Sequence, residues 1–170
     1  VADEDEDALP GFEPRIPPRW IACLVALKHL RETSCVDMLL RKLPPAAAPS
    51  IRLPVFAQTL HILHYLIEIA HLLSPGLREE AARKTALLLE DPRLGADWGS
   101  GVQASISIRW NVELTAAYLL GLLGQETDAG RIVDAYGNDE HVYVRNMARI
   151  IGERLANNRI STTSGKVSQA

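Results

Sequence analysis

The chain has 170 residues, 47 % of them hydrophobic and 23 % charged, with aromatics at only 5 %. That composition belongs to one folded globular domain rather than a disordered chain, and it leaves little room for two separate cores. The net charge is −3, but the run Asp3-Glu4-Asp5-Glu6-Asp7 carries five negatives, which leaves +2 on the remainder. A nearly neutral body lacks the strong positive field that nucleic-acid binding usually requires.

Residues 1–16 combine that acidic run with Pro10, Gly11 and Pro14, and read as a flexible acidic, proline-rich arm. Val1 opens directly onto acidic residues without an initiating Met, as expected of a fragment of a longer polypeptide. There is no basic, apolar signal-type start. A helical repeat domain is then predicted over 17–156. Pro17-Pro18 suit a first helical turn, and Ile21, Leu24, Val25 and Leu30 fall on one face at helical spacing. Thr33 or Ser34 is placed to cap a second, short helix that buries Val36, Leu39, Leu40 and Leu43, and Pro44-Pro45 stops it.

Pro54 marks the first turn of the longest helix, which runs to about Leu73. Its most apolar run, 62–70, is broken by His64 and Glu68 and falls well short of the roughly 20 residues a membrane span needs. Ser74-Pro75-Gly76 ends that helix and starts a fourth through Leu89, which Asp91-Pro92 terminates. From 93 to 107 the periodicity lapses into a glycine-rich stretch around Trp98. A connection this long in a helical domain is usually functional or mobile. A fifth helix then carries Leu114, Ala117, Tyr118 and Gly121 on one face. Thr127 or Asp128 caps a short sixth helix, and Asp139 a seventh with a buried stripe of Val144, Met147, Ala148, Ile151 and Leu155. The segment 157–170 has no apolar face and is predicted to be a disordered tail.

Two signals indicate repetition. Ala117 with Gly121 and Ala148 with Gly152 are small-residue pairs offset by 31 positions (148 − 117 and 152 − 121). Glu32-Thr33 and Glu126-Thr127 lie 94 apart, close to three such periods. Long and short helices in alternation with this spacing predict an all-α fold, an α-solenoid of about seven antiparallel helices.

The stretch LTAAYLLGLLGQETDAGRIVDAYGNDEHVYVRNMARIIGERL, residues 114–155, resembles the short HEAT repeats of bacterial phycobilisome-lyase-type proteins. Ala116-Ala117 and Leu120-Gly121 match the first helix, Asp139 the turn, Val144-Arg145 the opening of the next helix, and Ala148 with Ile151-Gly152 its continuation. The resemblance implies a right-handed HEAT-like array whose concave surface, lined by the shorter helices, holds a protein partner as a scaffold. The run IPPRWIACLVALKHLRET also looks like helical domains appended to bacterial FAD-dependent oxidoreductases, which would imply an accessory role in such an enzyme, or a lyase subunit. Gly99-Ser100-Gly101 follows no strand, so no flavin or other cofactor site is expected within this segment, and no catalytic set is expected either.

Four candidate groups remain. At 100° per residue, His61, His64, Glu68 and His71 share a wedge of roughly 80° on the third helix. Histidine and carboxylate at these spacings can ligate zinc, and equally form the solvated face of an otherwise apolar helix. Trp98 is either an aromatic anchor for a partner or a cover for the end of the core. Arg131 and Asp134 join it as partner-binding candidates; Arg145 and Arg149 either bind a carboxylate or phosphate or, as the HEAT resemblance implies, pair with an acidic residue of a neighbouring repeat. Trp20 and Trp110 read as packing residues, and Cys23 and Cys35 as buried thiols of a reducing, cytoplasmic compartment. The expected partner is a protein, not nucleic acid or membrane, and the oligomeric state stays open.

Overall fold

A computed structural model describes residues 23–44 (without 25, 28 and 29), 53–95 and 109–167; side chains at 53–58, 93, 95 and 159–167 are left out of that description. The described residues contain no strand. The elements are α1 (Val36–Leu40), α2 (Leu53–Ile69, prolonged by a 3-10 turn at Ala70–Leu72), α3 (Pro75–Leu89), α4 (Arg109–Leu122), α5 (Glu126–Gly137) and α6 (Val142–Val167). Cys23, Leu24, Ala26, Leu27 and Leu30 form helix ahead of α1. The fold is all-α.

Local chemistry explains most helix limits. Ser74 takes an extended backbone and its hydroxyl accepts from the Leu77 N–H at 3.4 Å, while Pro75 occupies the first turn, where no donor is lost. At the far end of α4, Gly124 adopts φ +95, the Gln125 N–H reaches the Leu120 carbonyl at 2.9 Å, and the Gly124 N–H reaches that of Gly121 at 3.2 Å. Those two bonds satisfy carbonyls that would otherwise be orphaned, in a left-handed C-terminal cap. Arg31 repeats the turn without glycine: its φ is 52, and the Glu32 N–H reaches the Leu27 carbonyl at 3.1 Å. The two caps lie 93 residues apart (124 − 31, 125 − 32 and 120 − 27), which is three periods of 31. The Glu-Thr dipeptide is therefore one residue out of register: Glu32 corresponds to Gln125.

The core is continuous. Val36, Leu39, Leu40 and Leu43 are all buried, as the short-helix pattern predicts. α4 packs against α2, α3, α5 and α6, and α1 packs against α3. Leu, Val, Ala and Thr bury α4 on several sides, from Val112 through Leu120. Trp110 meets Tyr143 near the start of α4, and Gly121 meets Leu155 near its end. These contacts come in the same order along both helices, so α4 and α6 run parallel. A Cβ on Gly121 would overlap the Leu155 methyls, and one on Gly152 would touch Val133 Cγ1 at 3.4 Å. Of the small residues with the 31-residue offset, Gly121 is a place of close approach, Gly152 makes an ordinary contact, and Ala117 and Ala148 are fully buried.

Several expectations are corrected. Met147 is 40 % exposed and so does not belong to the buried stripe assigned to it, and Leu30, expected on one face with Leu24, is 75 % exposed where Leu24 is buried. Helical spacing marks a face, but a residue at its margin is covered only if a neighbour stands there. Cys23 is exposed and Cys35 half-buried, rather than both buried. Neither Thr33 nor Ser34 caps α1; instead the Glu32 carboxylate accepts from both their N–H groups at 2.9 Å. α5 starts from Gln125, without a side-chain cap from Thr127 or Asp128. α6 runs to Val167, into the segment 157–170 expected as a tail. The first of the seven expected helices and the arm over 1–16 fall wholly or largely outside the described residues.

Candidate functional site

Unequal helix lengths create the site. Gly121 touches Leu155 one residue before α4 ends, yet α6 continues well beyond that level. The stretch from Arg154 to Asn158 faces the end of α2 across an open groove of about 710 Å³, within the roughly 300–1,000 Å³ usual for binding sites. Ile67, Ala70, Leu122 and Leu155 provide its apolar lining. Glu68 and His71 enter from α2 and its 3-10 turn, Arg78 from α3, Tyr118 from α4 and Glu126 from α5. Both helix ends beside the groove are already closed. Arg78 donates Nε and Nη2 to the Ala70 carbonyl at 3.3 and 3.1 Å, a cation answering the negative end of α2, and the Gly124 cap closes α4.

The polar lining divides by what is already engaged. Glu68, Glu126 and Asn158 each interact with another group of the chain. Among the described residues, the Arg154 guanidinium, the His71 imidazole and the half-buried Tyr118 hydroxyl have no hydrogen bond or ion pair.

The histidine wedge is partly a groove feature. His61, His64, Glu68 and His71 are all exposed, as the solvated-face reading expects, but only Glu68 and His71 line the groove. Among the described residues no group of three or more His, Cys, Asp or Glu is placed to hold a metal ion. Arg131 and Asp134 are exposed on α5 and do not line the groove; Arg131 stands 4.0 Å from Asp128. Trp98 lies outside the described residues. Arg78, Tyr118 and Arg154 were not singled out as site residues by sequence reasoning, since nothing local says that α6 outlasts α4. The groove lies at the ends of the long helices, not along the short ones, where the partner surface was expected.

The opposite end of α4 is built differently. The Arg109 Nε donates to Glu113 Oε1 at 2.7 Å and the Tyr136 hydroxyl donates to Glu113 Oε2 at 2.6 Å, tying the end of α5 to the start of α4. Burial, reinforced by that bond, holds the Tyr136 hydroxyl well above the ordinary phenol range. Trp110 and Tyr143 meet edge to face at 5.5 Å, next to exposed Val142 and Met147. Asp139 stands at the start of α6, accepting from the His141 N–H at 2.8 Å, and that bond holds its carboxyl below the usual carboxylate range. Arg145 donates to the Asp139 and Glu140 carbonyls at 2.5 and 2.9 Å, and Arg149 pairs with Glu153 at 2.7 Å. These arginines hold a turn and a helix.

No known protein family, curated protein or solved structure matches this chain. Among the described residues, no helix is long and apolar enough to cross a membrane.

Proposed function

We propose that this chain is a non-catalytic protein-interaction domain, a HEAT-like helical array that holds a partner segment in the groove between the ends of α2, α4 and α6. The groove carries the reading: an open cleft with an apolar lining, a polar rim and a half-buried tyrosine whose hydroxyl is unspent. Tyrosine in such a position combines apolar area with a polar tip at low entropic cost, which is why it dominates interface energies.

Three observations support the array. The helix ends at Arg31 and Gly124 share one cap geometry at three times the 31-residue period. Helices α4 and α6 run parallel with the shorter α5 between them in sequence. Of the paired small residues, Gly121 lies where α4 and α6 approach closely, and Ala117 and Ala148 are buried. In an array each pair of helices is completed by its neighbours, so a surface feature at their shared ends is held rigidly before a partner arrives.

The test is a selection of binding peptides from a random display library on the intact protein. The selected peptides are expected to bind Tyr118→Ala about thirtyfold more weakly, the loss typical of a tyrosine hot spot, while its circular dichroism at the assay temperature still shows the folded helical protein, since Tyr118 packs against the core only in part. Equal binding to the variant, or a library that yields no binder, counts against the reading.

A further inference from the structure

Building on the groove as a partner site, we propose that its occupant is an acidic segment of a protein partner, with a carboxylate seated on Arg154 and its neighbouring apolar side chains on Leu122 and Leu155. The argument is one of unspent charge. Two carboxylates and two guanidiniums line the groove, so a simple tally would suggest no preference. Their states differ. Glu68 and Glu126 are each already engaged within the chain, whereas Arg154 projects from α6 with no ion pair or hydrogen bond among the described residues.

The other available groups point the same way. The Tyr118 hydroxyl and the His71 imidazole can each donate, and Arg78 retains its Nη1 after giving Nε and Nη2 to the Ala70 carbonyl. What the groove offers is therefore mainly donors, and a guanidinium fork matches a carboxylate with two parallel N–H bonds.

The helix ends oppose an anion, because the carboxyl ends of α2 and α4 both face this region and carry partial negative charge. Their effect is blunted by the Arg78 bonds to Ala70 and by the N–H groups of Gly124 and Gln125, which occupy the last carbonyls of α4. A helix macrodipole acts on an exposed charge more weakly than a charge-assisted hydrogen bond does. The unspent arginine decides the sign. The apolar lining makes a protein segment a better fit than a nucleic acid, whose phosphates would find leucines between the cations.

The experiment uses two labelled peptides of equal length and equal leucine content, one carrying glutamate and the other lysine, titrated against the intact protein by fluorescence anisotropy. The glutamate peptide is expected to bind at least tenfold more tightly than the lysine peptide. Arg154→Gln should erase most of that preference while leaving the folded spectrum unchanged, because Arg154 is exposed. Arg154→Lys should restore only part, since a point charge does not reproduce the bidentate fork. Loss of binding in Tyr118→Ala places the peptide in the groove. Peptides that bind in the groove without preference, or that prefer lysine, overturn the acidic-partner inference and leave the interaction domain standing. A preference that survives Arg154→Gln overturns it as well, as does tighter binding by a single-stranded oligonucleotide of equal charge. Absence of any groove-dependent binding removes both.

Discussion

Two helix ends 93 residues apart share a positive φ and one matching backbone bond, Glu32 N–H to Leu27 and Gln125 N–H to Leu120, and are held by different means. At Gly124 the chain reverses with φ +95, a conformation that a side chain strongly disfavours, and glycine meets the requirement directly. At Arg31 the φ is 52, inside the small left-handed region that an ordinary residue enters at a cost. There the following residue is clamped: the Tyr65 hydroxyl donates to the Glu32 carbonyl, the Cys35 thiol donates to Tyr65 at 3.1 Å, and the Glu32 carboxylate takes the next two N–H groups. The early end thus relies on a polar clamp from α2, and the late end on glycines, with Gly124 in the turn and Gly121 beneath Leu155. Two turns can follow a similar backbone path while different chemistry enforces each.

The largest expected effect breaks the late end. Gly121→Val places a branched side chain where the Leu155 methyls already lie; Leu155 can turn aside in part, and overpacking of this kind costs about 1–3 kcal/mol. Leu155→Ala in the same background should recover part of that loss, giving a coupling energy well above the scatter expected for independent sites. Denaturant midpoints of the two single variants and the double variant measure it; strictly additive effects would mean that α4 and α6 do not meet there.

Breaking the early end is expected to cost less. Tyr65 is 1 % exposed and its hydroxyl serves the Glu32 carbonyl, so Tyr65→Phe should lose about 1–2 kcal/mol. It also has a pH signature. Burial first, then the Cys35 bond, raise the Tyr65 hydroxyl well above its ordinary value, and Tyr136 is raised likewise by burial and Glu113. A group raised on folding contributes stability that is fully present below the unfolded value, about 10 for tyrosine, and is lost as pH rises through the folded value. Alkaline destabilisation should therefore set in above about pH 10, and Tyr65→Phe should flatten it in part, leaving the share due to Tyr136. An unchanged alkaline slope in the variant would show that Tyr65 is not held neutral by the fold.

The sequence reveals these regions unequally, for a physical reason. Ser74-Pro75 and Asp91-Pro92 act within a few residues of themselves, so the limits of α3 are legible directly. The stripe Val36, Leu39, Leu40 and Leu43 is legible too, because burial imposes a helical period. Neither signal reports which helix ends meet in space. The groove needs α6 to outlast α4, so Arg154 and Tyr118 carry no local mark of their role, while Arg131 and Asp134, legible in the amphipathic pattern, do not line it. Met147 follows its stripe but lacks a neighbour on the outer side. The turn at Arg31 is the hardest to read: an arginine conceals a conformation that glycine announces at Gly124.

The smallest predicted effect exchanges the two turns' residues and asks whether they are one device. Arg31→Gly relieves a side chain at φ 52 but loosens the unfolded chain, so the two terms partly cancel and a gain of no more than about 0.5–1 kcal/mol is expected. Gly124→Ala meets open space yet must hold φ +95, so strain outweighs the stiffening of the unfolded chain and a net loss of about 1 kcal/mol is expected. Opposite signs at positions three periods apart, read as thermal midpoints, are what a shared backbone geometry with different local enforcement requires. If Arg31→Gly were as damaging as Gly124→Ala, the arginine side chain would be making a contact of its own, and the two ends would resemble each other only in their hydrogen bonds.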